Sequence, residues 1–171
     1  MTRIYSELAP AVSGYLRLRG AGEPDDVASE VFLGVFRNLH SFSGGEEQFR
    51  SWVFTIAHRR LLDERRRMGR TPRPEPLPDV LPAVQGGDVE IDALGELGAD
   101  WVRDVLGRLS RDQRAVLLLR VVADLSVEEV ARILGKRPGA VRALQHRGVK
   151  TLRRQLERQR LSHHDLQHTG T

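Results

Sequence analysis

The sequence predicts an all-α fold of two small helical domains joined by a flexible, acidic, proline-rich linker. Apolar residues recur every three or four positions on both flanks, as an amphipathic helix requires, and no β-type alternation of useful length interrupts them. Between the flanks, residues 69–98 hold Pro72, Pro74, Pro76, Pro78 and Pro82, then Gly86, Gly87, Gly95 and Gly98. Proline at every second position blocks helix and sheet ladders and favours a stiff, extended connection. The expected divisions are a first domain at 1–68, the linker at 69–98, a second domain at 99–160 and a polar tail at 161–171.

Three helices are expected in the first domain. Ile4, Leu8, Val12, Tyr15 and Leu16 mark one, and Gly20-Ala21-Gly22 ends it. A second starts near Pro24, with Asp25 and Asp26 well placed at its positive end, and buries Val27, Val31, Phe32, Val35, Phe36 and Leu39. Ser41 to Gln48 reads as a polar loop with Gly44-Gly45 at its tip. A third helix follows from about Phe49 to Arg67, with Phe49, Trp52, Val53, Ile56 and Leu61 among its apolar positions.

The second domain begins with a helix expected near Ile91 to Leu109. Ser110-Arg111-Asp112-Gln113 is a capping-box pattern, in which the serine hydroxyl and the glutamine three residues later satisfy amides left free at a helix start. The helix it opens, to about Ala123, is apolar on most sides and so suits the centre of the domain. Ser126-Val127-Glu128-Glu129 repeats the capping pattern, and a short helix follows that points Val127, Val130, Ala131 and Leu134 inward. Gly135 suits its C-terminal cap and Pro138 the first turn of a long basic helix.

Charge is segregated along the chain. Residues 1–48 carry 4 Arg and 7 acids (−3), 49–73 carry 8 Arg and 2 acids (+6), 74–100 carry 7 acids and no base (−7), and 101–171 carry 15 Arg or Lys and 7 acids (+8). Two basic blocks flanking an acidic one suit a protein that grips a polyanion in two places and spans the gap between them. The alternative is that these are solvated helix faces.

Other classes receive little support. With 0 Cys there is neither a disulfide framework nor a thiolate metal site, which suits a reducing cytoplasm. The N-terminus lacks the apolar core of a signal peptide, and the longest apolar run, Ala115 to Leu119, is far short of the roughly 20 residues a membrane span needs. A soluble cytoplasmic chain is expected. No glycine-rich phosphate loop, metal-ligand cluster or nucleophile with its base is recognisable, so neither an enzyme nor a cofactor is expected. His163, His164 and His168 lie in a polar stretch and read as solvated.

The segment from Leu125 to Leu156 combines a capped short helix, a glycine turn, a proline at the next helix start and a basic outward face, which together describe a helix-turn-helix. Val141, Leu144, Gly148 and Leu152 line the inner face of the long helix. Arg142, Ala143, His146, Arg147 and Lys150 line the outer one, with Arg137 just before it. Arginine can pair with guanine through two parallel hydrogen bonds, whereas Lys150, Arg153 and Arg154 suit phosphates. An ordinary helical hairpin is the alternative. In the third helix, aromatics mix with cations in the manner of a single-strand binder, where each stacked base is worth roughly 1–3 kcal/mol. Phe49, Trp52 and Ile56 also have core spacing, and one helix can bury Val53 and Ile56 while presenting Trp52 or Phe42 at its rim.

These segments resemble a known family, the extracytoplasmic-function sigma factors of bacterial RNA polymerase. PDDVASEVFLGVF (24–36) looks like the family's region 2.2, FRSWVFTIAHRRLLDERRR (49–67) like regions 2.3 and 2.4, and residues 109–154 like region 4. The resemblance implies a region 2 three-helix bundle and a region 4 helix-turn-helix on a flexible tether. It also implies a subunit that binds core polymerase through its β′ and β subunits and recognises two promoter elements, one roughly 35 and one roughly 10 base pairs upstream of the start.

Position by position, the resemblance assigns Asp26, Ser29, Glu30, Leu33 and Arg37 to docking on the β′ coiled coil. It assigns the loop Ser41 to Gln48 and the next helix start, with Phe42, Ser43, Trp52, Arg59, Arg60 and Arg66, to the downstream element and its flipped base. Arg137, Arg142, Ala143, His146, Arg147 and Lys150 would read the upstream element. The acidic linker would thread the polymerase channels as a mimic of RNA. The family often has Gln at Ser29 and commonly Asn at Arg59; a guanidinium cannot accept hydrogen bonds, which leaves the identity of the flipped base open. Control by an anti-sigma factor is common in the family. The other readings are a stand-alone helix-turn-helix regulator and a basic helical adaptor for acidic proteins.

Overall fold

The computed structural model describes the backbone of residues 2–69, 102 and 104–168. All of the linker expected at 69–98 but its first residue, and most of the helix expected at 91–109, lie outside the described residues. Among those that are described, every regular element is helical: α1 (Thr2–Leu18), α2 (Pro24–Asn38), a 3₁₀ turn (Leu39–Ser41), α3 (Glu46–Arg67), α4 (Arg111–Val121), α5 (Val127–Leu134) and α6 (Pro138–His168). Residues 104–107 form a further helical turn.

The ends of α1 and α2 follow from local chemistry. Beyond α1, Gly20 takes φ 78°, and Ala21 N–H reaches back to the Leu16 carbonyl at 3.0 Å, closing the helix with a left-handed turn. Helix α2 opens on Pro24 but has no side-chain cap of its own. The two amides just before it are held from α3: Glu64 Oε1 accepts from Gly22 N–H and from Glu23 N–H, both at 3.0 Å. A carboxylate at the positive end of a helix is favoured by the aligned peptide dipoles as well.

Helix α3 starts at Glu46, three residues before the expected Phe49, so the polar loop is correspondingly shorter. Gln48 explains the earlier start, because its Oε1 accepts from Gly45 N–H at 3.0 Å and caps the first turn. The three helices pack as a bundle around Leu8, Val12, Tyr15, Leu16, Val31, Val53, Phe54 and Leu61, all buried. Phe36, expected inside, is exposed on α2 and stacks on exposed Tyr5 with centroids 6.4 Å apart.

Both expected capping boxes form. Ser110 Oγ accepts from Gln113 N–H at 3.2 Å while Gln113 Oε1 accepts from Ser110 N–H at 3.1 Å, and Ser126 and Glu129 exchange the same pair at 3.2 and 2.7 Å. Gly135 closes α5 with φ 63° and ψ 34°, the left-handed cap its position called for. Helix α4 is buried from Arg114 to Leu119, and Arg114 ties it to the preceding turn by donating to the Leu106 carbonyl at 3.0 Å. Helix α6 crosses α4 closely at Gly148, where a Cβ would stand 2.8 Å from Leu117 Cδ1. Beyond this crossing α6 continues as helix through His168, including most of the stretch expected as a polar tail.

The two helical units touch. Helix α1 lies against α4 and α3 against α5, and the buried apolar side chains of both units form one contiguous cluster. Across the seam Arg19 Nη1 donates to the Arg111 carbonyl at 3.1 Å.

Candidate nucleic-acid interface

The reading face of the helix-turn-helix is set by what α6 must bury. Val141 and Gly148 are buried and Leu144 and Leu152 half-buried, so the opposite side of a 3.6-residue helix is left to solvent. Arg142, Ala143, His146, Arg147 and Lys150 are all exposed there, with Arg137 exposed just before the helix. The structure thus brings five of the six expected upstream residues to one face of α6 and leaves Arg137 exposed at its start. Two contacts fix its framework. Arg120 donates to Gln145 Oε1 at 3.2 Å and to the Leu125 carbonyl, joining α4, the turn before α5 and α6. Arg142 donates to Glu128 Oε1 at 2.8 Å, so the foremost candidate base reader is held from the partner helix. Sequence reasoning did not single out Glu128 in this role; its place in the first turn of the shorter helix was the available signal.

In the first unit, Phe42, Phe49 and Trp52 form an aromatic group where the loop meets α3. Phe42 and Trp52 stack at 5.0 Å with planes 21° apart, and Phe49 meets both edge-on at 5.2 and 5.7 Å. Phe49 is buried, Phe42 and Trp52 are half-buried, and Ser43 is exposed beside them. The two expected stacking residues therefore cover one another's faces. Arg59 and Arg66 follow Trp52 at seven-residue intervals on the same side of α3, both exposed. Arg60 does not join them. It leans toward α2, with Nη1 3.9 Å from Glu30 Oε2, and Arg67 Nη2 approaches the same oxygen at 3.7 Å.

The outward face of α2 carries Asp26, Ser29, Leu33 and Arg37, all exposed, with Glu30 half-buried among them. Leu33 is 53% exposed, and Phe36 and Tyr5 extend the apolar surface beside it. Ser29 Oγ turns back to the Asp25 carbonyl at 2.9 Å.

Not all of the basic block at 49–73 faces solvent. Glu64 and Arg65 are buried, as are Arg19, His58 and Arg114. Arg65 donates to the Arg19 carbonyl at the end of α1, and Arg19 lies over the Tyr15 ring at 5.9 Å. Burial, with the Arg19 and Arg65 charges nearby, pushes the His58 pKa down from 6.5 to about 4, so the ring is neutral at pH 7. Among the described residues there is no group of three His, Cys, Asp or Glu that could hold a metal ion, and no helix long and apolar enough to cross a membrane.

The chain matches Sigma-70 region 2 over residues 4–71 and Sigma-70, region 4 over residues 99–152, the two units separated above. The ECF RNA polymerase sigma factor ShbA of Streptomyces griseus is 35% identical over 132 residues, spanning 75% of this chain and 69% of that protein. The ECF sigma factor SigD of Mycobacterium tuberculosis is 32% identical over 164 residues, spanning 90% and 75%. The sigma factor RpoE of Bartonella quintana, solved with the anti-sigma factor NepR, shares the fold at a TM-score of 0.69 and 19% identity, over 91% of this chain and 96% of that one. With both regions matched in order and relatives aligned over most of their length, the chain belongs to the ECF family of RNA polymerase sigma factors.

Proposed function

We propose that this sigma factor divides promoter recognition between its two helical units. Arg137, Arg142, Ala143, His146 and Arg147 read the upstream element in the major groove, while Lys150 holds phosphate. Phe42, Ser43, Trp52, Arg59 and Arg66 engage the melted downstream strand. The outward face of α2, from Asp26 to Arg37, docks on the β′ subunit. The chain does no chemistry of its own; it acts in the cytoplasm as a binding subunit of polymerase, and an anti-sigma factor is a fitting regulator.

The observation that carries this reading is the exposed face of α6, where Arg142, Ala143, His146, Arg147 and Lys150 stand opposite the buried Val141 and Gly148, with Arg137 exposed just before the helix. Arginine against guanine supplies sequence preference, and a lysine on phosphate supplies affinity alone. Arg60 has a smaller part, because it pairs with Glu30 rather than standing on the Trp52 side of α3.

Reconstituted holoenzyme titrated with promoter variants tests the division. Arg142→Ala is expected to weaken upstream recognition by about 1–3 kcal/mol and relax base preference there, while Lys150→Ala weakens all sequences alike. If neither substitution changes affinity or promoter choice, the groove-facing side of α6 is misassigned.

A further inference from the structure

We propose that Glu128 is a specificity-determining positioning residue: its carboxylate holds the Arg142 guanidinium for a base edge and opposes its capture by phosphate, so that the helix-turn-helix gains selectivity by giving up part of its affinity for DNA in general. The proposal rests on the reading of α6 as the element that reads the upstream sequence, and it adds to that reading a residue from the other helix of the motif.

Arg142 is the fifth residue of α6 and Glu128 the second of α5, 14 positions apart, and Arg142 Nη2 donates to Glu128 Oε1 at 2.8 Å. Both side chains are 60% exposed, a setting in which an ion pair adds little to stability. Helix α5 has no need of Glu128 to close its first turn either, because Ser126 and Glu129 already cap it reciprocally. The pairing is also selective. Of the cations on or beside the exposed face of α6, Arg142 has a carboxylate partner, whereas Arg137, Arg147 and Lys150 make no ion pair among the described residues.

A guanidinium has several N–H groups, and one bond to Glu128 leaves enough of them for the pair of parallel bonds that guanine O6 and N7 accept. Held in advance, the side chain also loses less rotamer freedom on meeting the base. Charge separates the two kinds of DNA contact. The guanine edge is a neutral acceptor, so a carboxylate beside the guanidinium costs little there. Phosphate is an anion, and the same carboxylate repels it and shares the positive charge that would otherwise attract it. Non-specific binding is almost wholly phosphate attraction, so Glu128 penalises that mode more than the cognate one. Specificity is a difference of affinities, and an element that weakens the wrong complex raises it as surely as one that strengthens the right complex.

The test uses holoenzyme reconstituted with the full chain and titrated, at several salt concentrations, with a promoter duplex taken from mapped transcription starts. The same duplex is measured with its upstream base pairs changed singly and with the upstream element scrambled. Glu128→Ala is expected to tighten binding to the scrambled duplex several-fold, with a steeper salt dependence, and to lower the preference for the cognate duplex about tenfold. The lost preference is expected at the base pair that Arg142→Ala also relaxes, and Glu128→Ala is expected to relax that pair no further once Arg142 is alanine. Unchanged preference and salt dependence, with Arg142→Ala still relaxing its base pair, would overturn the proposal alone and leave the pair a solvated contact. An equal loss of affinity for every duplex would also overturn it, because damage to α5 has that effect. Base preference untouched by Arg142→Ala would overturn the groove assignment of α6 and this proposal with it. Should Glu128→Ala fail to fold, Glu128→Gln, which keeps the length and an acceptor oxygen but not the charge, replaces it with the same outcomes.

Discussion

The Tyr15 hydroxyl and His58 Nδ1 lie 3.0 Å apart in a buried hydrogen bond that joins α1 to α3 across 43 residues. Burial of the ring, and the Arg19 and Arg65 charges beside it, disfavour the charged form. In the unfolded chain the same ring returns to its ordinary value of 6.5, so as pH falls the unfolded state takes up the proton first. The stabilisation is therefore complete above about pH 6.5 and drains away between 6.5 and 4, reaching about 2 kcal/mol by pH 5. Urea midpoints at pH 7 and pH 5 are expected to separate for the wild-type chain and to separate less for His58→Gln. Equal separations would mean that the ring is not held neutral.

Glu64 provides a second check on the first unit. Its Oε1 accepts from two part-buried amides just before α2, and a hydrogen bond to a charged group contributes about 1.5–3 kcal/mol. Glu64→Ala should lower unfolding free energy by about 2–4 kcal/mol, and Glu64→Gln, which keeps an acceptor, by about half as much. Denaturant curves of the two variants at pH 7 decide this; equal losses would show that the amides are not what the carboxylate serves.

At Gly148 two effects oppose one another. Alanine gains about 1 kcal/mol of helix propensity over glycine, but its Cβ would press on buried Leu117, and overpacking typically costs about 1–3 kcal/mol. Net destabilisation of about 1 kcal/mol is expected for Gly148→Ala and more for Gly148→Val, read as loss of thermal midpoint. A stabilised alanine variant would mean that α4 and α6 can move apart at no cost.

Glu30, on the outward side of α2, faces two arginines, at 3.9 Å from Arg60 and 3.7 Å from Arg67. These pairs are exposed, so Glu30→Gln should change stability by less than about 1 kcal/mol. Its effects on binding should be opposite in sign: weaker association with core polymerase, and tighter, salt-sensitive association of the free chain with single-stranded DNA. Parallel titrations of the variant with each partner test this, and a change of the same sign in both would contradict it.

Much of this was legible in the sequence because it is local. Ser110, Gln113, Ser126, Glu129 and Gly135 announce helix ends through bonds spanning a few residues, and the packing side of α6 follows from the spacing of Val141, Leu144 and Gly148. What the sequence concealed is tertiary. Arg65 and Arg66 are neighbours of identical type, yet one is buried on the Arg19 carbonyl and the other is exposed; only the approach of α1 distinguishes them. Glu64 accepts from amides some 40 residues away, and Arg19 bonds to a carbonyl in the other half, so no local pattern encodes either. The charge blocks were thus no guide to individual residues, since part of the first block works inside the fold. The aromatic group shows the middle case: its residues were identifiable as a set, but the stacking of Phe42 on Trp52 was not.

Joined to core polymerase, this chain is expected to open a promoter that neither opens alone. Permanganate reactivity of unpaired thymines on a promoter chosen from transcription starts mapped after overproduction measures this directly. Reactive thymines are expected around the downstream element only when chain and core polymerase are both present, and are expected to be lost when Trp52→Ala and Arg59→Ala are combined. Opening by core polymerase alone, or no opening at any mapped promoter with both components present, would contradict it.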